Sequence, residues 1–184
     1  NTDAAIEQYQ AAIKLAPNEP QYREYLGEFL HQLGRKEEAL AAWRELASGE
    51  RETRDNLVRL SEVLSTFKFD AEALETIAKA CEMKPNFGHR ARYAELLREA
   101  KRFDEALQQL DLAEPLAEDP ELRELAMSER IKNYQAAGEL EKRIDEAQAS
   151  VDGDKAADPE AWKLLALLRD ADRKFELACD AISK

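Results

Sequence analysis

The sequence predicts an all-α fold built as a row of antiparallel helix hairpins, about 11 helices in all. Three observations lead there. Leu, Ala, Glu, Arg and Lys dominate the 184 residues, and these are good helix formers. Valine stands only at Val58, Val63 and Val151, and no run of alternating β-branched residues signals a sheet. Apolar residues recur at helical spacing in short stretches that come in pairs, and a small alanine returns along the chain at an almost constant interval.

The clearest pair is Leu26 to Leu46, LGEFLHQLGRKEEALAAWREL. Leu26, Phe29, Leu30 and Leu33 make one apolar stripe. Gly34 follows, where a left-handed helix stop favours glycine. A second stripe then runs through Ala39, Leu40, Trp43 and Leu46. Gly27 and Ala39 are small, so the two helices are expected to approach closely there. Isolated helices shorter than about 12–15 residues are marginal in water. Neither helix can bury its stripe alone, so the unit needs neighbours.

The second-helix pattern recurs at Ala5-Ile6, Ala39-Leu40, Ala73-Leu74, Ala106-Leu107 and Ala178-Cys179. The first three intervals are 34, 34 and 33 residues; the last, 72, accommodates two longer units. A repeat of this length with two helices means stacked hairpins. The expected units are 1–18, a second helix alone, then 19–52, 53–86, 87–118, 119–157 and 158–184, forming a single array. Tyr9, Ala12 and Pro17 follow Ala5 as Ile77, Ala80 and Pro85 follow Ala73, and proline ends the helix before it. Arg51 stands where a closing proline is expected. Pro115 falls inside the second helix of its unit, which is expected to end or kink near Glu114. The unit from Asp119 begins with a long helix carrying Leu122, Leu125, Ala126, Ile131 and Tyr134 before Gly138; Ile144 and Ala147 carry its second stripe. Asp119-Pro120 and Asp158-Pro159 each place a capping acid before a first-turn proline. Ser150 to Asp158 is expected to be a polar loop.

With these residues in phase, the chain resembles the tetratricopeptide repeat family. Leu26 with Gly27, then Leu30, Gly34, Ala39, Trp43 and Pro17, follow its pattern; Trp162, Leu165, Ala166 and Ala178 follow it again near the C-terminus. Ser61 and Ala94 replace the small glycine. The resemblance covers nearly the whole chain and implies a right-handed superhelical solenoid. It also implies a concave groove lined by the first helix of each hairpin, acting as a protein–protein interaction scaffold. The candidate groove residues are Gln21, Glu24, Glu28 and His31, then Asp55, Val58, Glu62 and Ser65, then Ala91, Glu95 and Arg98. Glu24, Glu28 and Glu62 would make part of that groove acidic and suit a basic or mixed peptide. The family's Lys, Asn and Arg clamp for a terminal carboxylate would place its asparagine at Glu28, where a carboxylate repels the ligand, so that mode is not expected.

The net charge of −12 disfavours nucleic acid as a partner. No apolar run approaches the roughly 18 residues of a membrane helix, so no insertion into membrane is expected. Cys81 and Cys179 lie far apart on predicted apolar stripes and read as buried free thiols; without a disulfide pattern the cytoplasm is favoured, though the compartment stays open. No metal-ligand pair, phosphate loop or nucleophile motif is present, so neither catalysis nor a cofactor is expected. His31 reads as a half-exposed helix histidine and His89, beside Gly88 at a helix start, as solvated. Arg90, Arg92, Arg98, Lys101 and Arg102 form a basic cluster, read as pairing with Glu95, Glu99 and Asp104 or as a landing site for an acidic segment. The opening NTDAAI and the unpaired first helix suggest a piece of a longer protein. Leu168, Phe175 and Leu177 would lack a following repeat, so self-association through exposed ends is a further expectation. The alternative to groove binding is an architectural or regulatory segment of a larger assembly, contacting neighbours through its ends or edges.

Overall fold

The computed structural model describes the backbone of residues 2–182 and the side chains of residues 2–173. Its helices are α1 (Thr2–Leu15), α2 (Pro20–Gln32), α3 (Lys36–Arg44), α4 (Arg54–Thr66), α5 (Asp70–Met83), α6 (Phe87–Glu99), α7 (Phe103–Ala113), α8 (Pro120–Ala137), α9 (Leu140–Asp152) and α10 (Pro159–Ile182). The described residues contain no strand. By its contacts the chain divides into two compact units, residues 1–96 and 97–184, with the division inside α6.

The recurring positions are the core. Ala39, Ala73 and Ala106 are all fully buried. So are the residues one helical turn later, Trp43, Ile77 and Leu110. At Gly27 an added Cβ would sit 2.2 Å from Trp43 Nε1, so the missing side chain makes room for the indole. The close approach is therefore between a glycine and a tryptophan ring rather than two backbones. The indole N–H also donates to the Glu24 carbonyl at 3.2 Å. Trp43 stacks on Phe67 with centroids 4.6 Å apart and meets Phe69 edge-on at 5.9 Å. Burying side chains of this size contributes about 1.5–3 kcal/mol each.

The turns recur as well. Gly34, Lys68, Lys101 and Gly138 all have left-handed backbone, at intervals of 34, 33 and 37 residues. Each is followed by a hydrogen bond that closes the helix end: Arg35 N–H to Leu30 O, Phe69 to Leu64, Arg102 to Leu97 and Glu139 to Tyr134, all at 2.8–2.9 Å. This satisfies a carbonyl that the helix leaves unpaired. Arg51 replaces the expected proline in another way. Its guanidinium donates to the Glu45 carbonyl and carboxylate, both at 2.9 Å, just past the end of α3. Pro115 acts as expected: α7 stops at Ala113 and a 3-10 turn covers Glu114–Leu116.

In the second unit Ile131, Leu140, Ala147, Val151, Leu165 and Leu168 form one core, with Tyr134 and Ile144 packed against it. Asp119 caps α8, accepting the Leu122 N–H at 2.8 Å. Asp158 accepts the Glu160 N–H at 3.0 Å at the start of α10. Four expectations change. The described helices number ten, because the last unit is one continuous helix where a hairpin was expected. Leu168 is buried in the core rather than left without a neighbour. Leu125 is exposed on α8, and α9 runs on to Asp152, which shortens the polar connection. The side chains of Phe175, Leu177, Ala178 and Cys179 lie outside the described residues. Cys81 is a buried free thiol, and burial pushes its pKa up.

Candidate functional site

In the first unit α2 and α4 present a common polar face. Glu24 of α2 and residues from Asp55 to Val63 of α4 line a cleft of about 390 Å³. Helical spacing on α4 places Asp55, Val58 and Glu62 along it, with Asn56, Arg59 and Val63 beside them and Glu24 reaching in from α2. Four of the expected groove residues, Glu24, Asp55, Val58 and Glu62, are thus brought together.

The charges there are partly matched. Arg59 grips both Glu24 oxygens, Nε to Oε1 and Nη2 to Oε2 at 3.1 Å. That bond holds the guanidinium above its ordinary pKa. Arg54 pairs with Asp55 at 2.7 Å. Glu62 is exposed and has no ion pair among the described residues. The lining holds three carboxylates, Glu24, Asp55 and Glu62, against the single guanidinium of Arg59, so it stays acidic.

The other expected residues lie elsewhere. Gln21 and Glu28 are exposed on α2, and Glu28 accepts a hydrogen bond from Gln32 at 3.3 Å. His31 belongs to the aromatic group, 4.9 Å from the Phe67 ring centroid and 6.0 Å from that of Trp43. Ser65 is buried, because its position on α4 turns inward; it offers no groove surface. Ala91 and Glu95 are half-buried on α6, with Glu95 held by Arg92. Arg98, in the second unit, pairs at 2.9 Å with Glu129, a residue that also binds Lys132. Burial would raise the Glu129 pKa, but the hydrogen bonds from Lys132 and Arg98 outweigh it and hold the carboxyl low.

Three members of the basic cluster pair internally: Arg92 with Glu95, as expected, and Arg98 and Arg102 with Glu129 and Glu105 in place of Glu99 and Asp104. His89 departs from expectation, being half-buried. Its backbone N–H donates to Asn86 Oδ1 at 2.8 Å, while its Nδ1 is buried without a partner among the described residues. Burial and then Arg54 push its pKa down, opposed by Asp55 and Glu62. Arg59, Asn56 and Val63 were not anticipated. Arg59 follows by one residue the position one 34-residue repeat beyond Glu24, and that offset is the signal that could have found it.

Paired helices, buried alanines at a fixed interval and left-handed turns in the same phase define a helix-hairpin repeat protein. The particular fold is that of tetratricopeptide repeat proteins. The chain is similar to a tetratricopeptide repeat protein from Parabacteroides merdae ATCC 43184 at 16% identity and TM-score 0.58, covering 99% of this chain and 71% of that one. It is also similar to MamA at 13% identity and TM-score 0.54, covering 86% of each chain. A third likeness is to YrrB, a TPR protein with an unusual peptide-binding site, at 17% identity and TM-score 0.50, covering 97% of this chain and 100% of that one. At these identities the likeness is one of fold. No family model matches the chain, and no curated protein does. No described helix is long and apolar enough to cross a membrane.

Proposed function

We propose that the chain is a protein–protein interaction scaffold whose α2–α4 cleft holds a basic or mixed peptide segment of a partner, without catalysis. The observation that carries this is the acidic excess of the cleft lining, with Glu62 left unpaired at its surface. A partner lysine or arginine beside Glu62 would gain a counter-charge, while Val58 and Val63 offer apolar contact for the stem of that side chain. The fold shared with YrrB, described as having a peptide-binding site, is consistent in kind. Groups of three or more metal-ligating side chains are absent among the described residues.

The test uses labelled peptides of matched length, basic, mixed and acidic, followed by fluorescence anisotropy. Basic peptides are expected to bind, and Glu62→Lys to weaken them about tenfold or more, as reversal of a close charge contact does. Raising salt should weaken binding further. Glu24 is a poor choice for substitution, because it also holds Arg59. Equal binding of acidic and basic peptides, or indifference to Glu62→Lys, would end the proposal.

A further inference from the structure

A second cavity of the first unit lies where two helices begin. It measures about 180 Å³, and Asn18, Arg23, Glu50, Arg51, Thr53 and Asn56 supply its polar lining. Arg23 is 5% exposed and is the one charged side chain that is buried among the described residues. Its Nη1 donates to the Pro17 carbonyl at 2.8 Å, and among the described residues no carboxylate pairs with it. Burial and then the nearby charge of Arg51 lower its pKa; the Glu45 carboxylate opposes them, and the balance lies below the ordinary value.

The tie to a carbonyl does not explain the burial. Arg123 stands at the same place in α8 and donates to the Ala117 and Glu118 carbonyls, yet it is exposed. Other arginines taken partly out of water, Arg59 and Arg98, each have a glutamate. A guanidinium removed from water without a carboxylate paired to it is costly, and an open space beside it is where an anion would sit. Arg51 adds a second guanidinium. Thr53 Oγ1 accepts from the Asn56 N–H, which leaves its own hydrogen free to donate. Both α2 and α4 start at the cavity, and helix N-termini favour anions.

We propose that this cavity is an oxyanion site in which Arg23 and Arg51 clasp a phosphate group, with Thr53 and Asn56 as neutral polar partners. Glu50 lines the site and Glu45 already engages Arg51, so no broad positive field draws anions in. Affinity rests on the buried guanidinium and its fork of donors. The site shares Asn56 with the α2–α4 cleft, but its guanidinium groups, Arg23 and Arg51, lie outside that lining, so it stands whether or not that cleft binds peptide.

Free phosphate and a phosphorylated side chain share this chemistry, and two arms separate them. The full chain is titrated with inorganic phosphate, with O-phosphoserine, and with sodium chloride at matched ionic strength, while the Asn56 side-chain amide and Arg23 Nε resonances are followed by NMR. Phosphate in one form or the other is expected to give saturable shifts that chloride does not. Tighter binding of O-phosphoserine assigns the site to a modified partner residue; tighter binding of the free ion assigns it to phosphate itself. Arg23→Gln should weaken binding about tenfold or more, the loss expected for a charge-assisted hydrogen bond, whereas Arg35→Gln, a surface pair, should not. If Arg23→Gln does not fold, Arg51→Gln must show the weakening. Identical responses to both phosphates and chloride, or saturable shifts that persist undiminished in the arginine variants, overturn the proposal.

Discussion

Gly27 shows how much one residue can fix. Only hydrogen at that position leaves space for the fully buried Trp43 ring, which in turn hydrogen-bonds the Glu24 carbonyl. Gly27→Ala is expected to destabilise the chain by about 1–3 kcal/mol through overpacking. Denaturant unfolding measures it, and a double-mutant cycle with Trp43→Leu should show a coupling that returns part of the loss. The opposite sign is expected at Lys68. Its φ of +64° matches the +77° of Gly34 at the equivalent turn, but a side chain in left-handed backbone costs about 1–2 kcal/mol. Lys68→Gly should therefore stabilise by about 0.5–1 kcal/mol, once the greater freedom of glycine in the unfolded chain is set against it. A loss of stability would mean that the lysine side chain contributes more than its backbone costs. The alanines were legible in the sequence because smallness itself repeats. The left-handed lysines were not, since nothing in a lysine announces its backbone.

At the scale of the element, α6 begins with a half-buried titratable group. Asn86 accepts the His89 N–H, and the imidazole is half-buried with Nδ1 unpartnered. The groups that act on it from α4 are Arg54, Asp55 and Glu62. Because burial and Arg54 lower its pKa below the usual 6.5, the folded chain resists the proton more than the unfolded chain does. Stability is then full above about 6.5 and is lost as pH falls through the lowered folded value. Denaturant midpoints taken from neutral pH downward should show this fall in wild type and a shallower one in His89→Asn; parallel curves would refute it. Sequence reasoning placed His89 correctly at a helix start but could not see that charges of α4 act on it. The long α8 and the end of α7 at Pro115 were legible, because proline and aspartate act on their own backbone. The continuity of α10 was not. The position five residues before Ala178 is Arg173, and five before Ala73 and Ala106 stand Lys68 and Lys101, which do turn left-handed. A basic residue there leaves turn and helix equally open, and packing decides.

For the whole molecule, stability should follow the arrangement of hairpins, since each helix buries its stripe only against neighbours. The helix α1 contains no buried residue, while α4 and α5 contribute Leu57, Leu60, Leu64, Ala73 and Ile77 to the core. Native-state hydrogen exchange is therefore expected to be fastest in α1 and slowest in α4 and α5 among the helices of the first unit. The core of Ile131, Leu140, Val151, Leu165 and Leu168 is a separate reservoir of protection in the second unit. Introducing Gly27→Ala should lower protection first in α2 and α3, then in α1 and α4, with which those helices pack. Amides of α9 and the first half of α10, which pack on each other, should keep most of theirs. Uniform loss across residues 2–173 would instead mean a single cooperative transition, and the local character of the stabilisation would have to be given up.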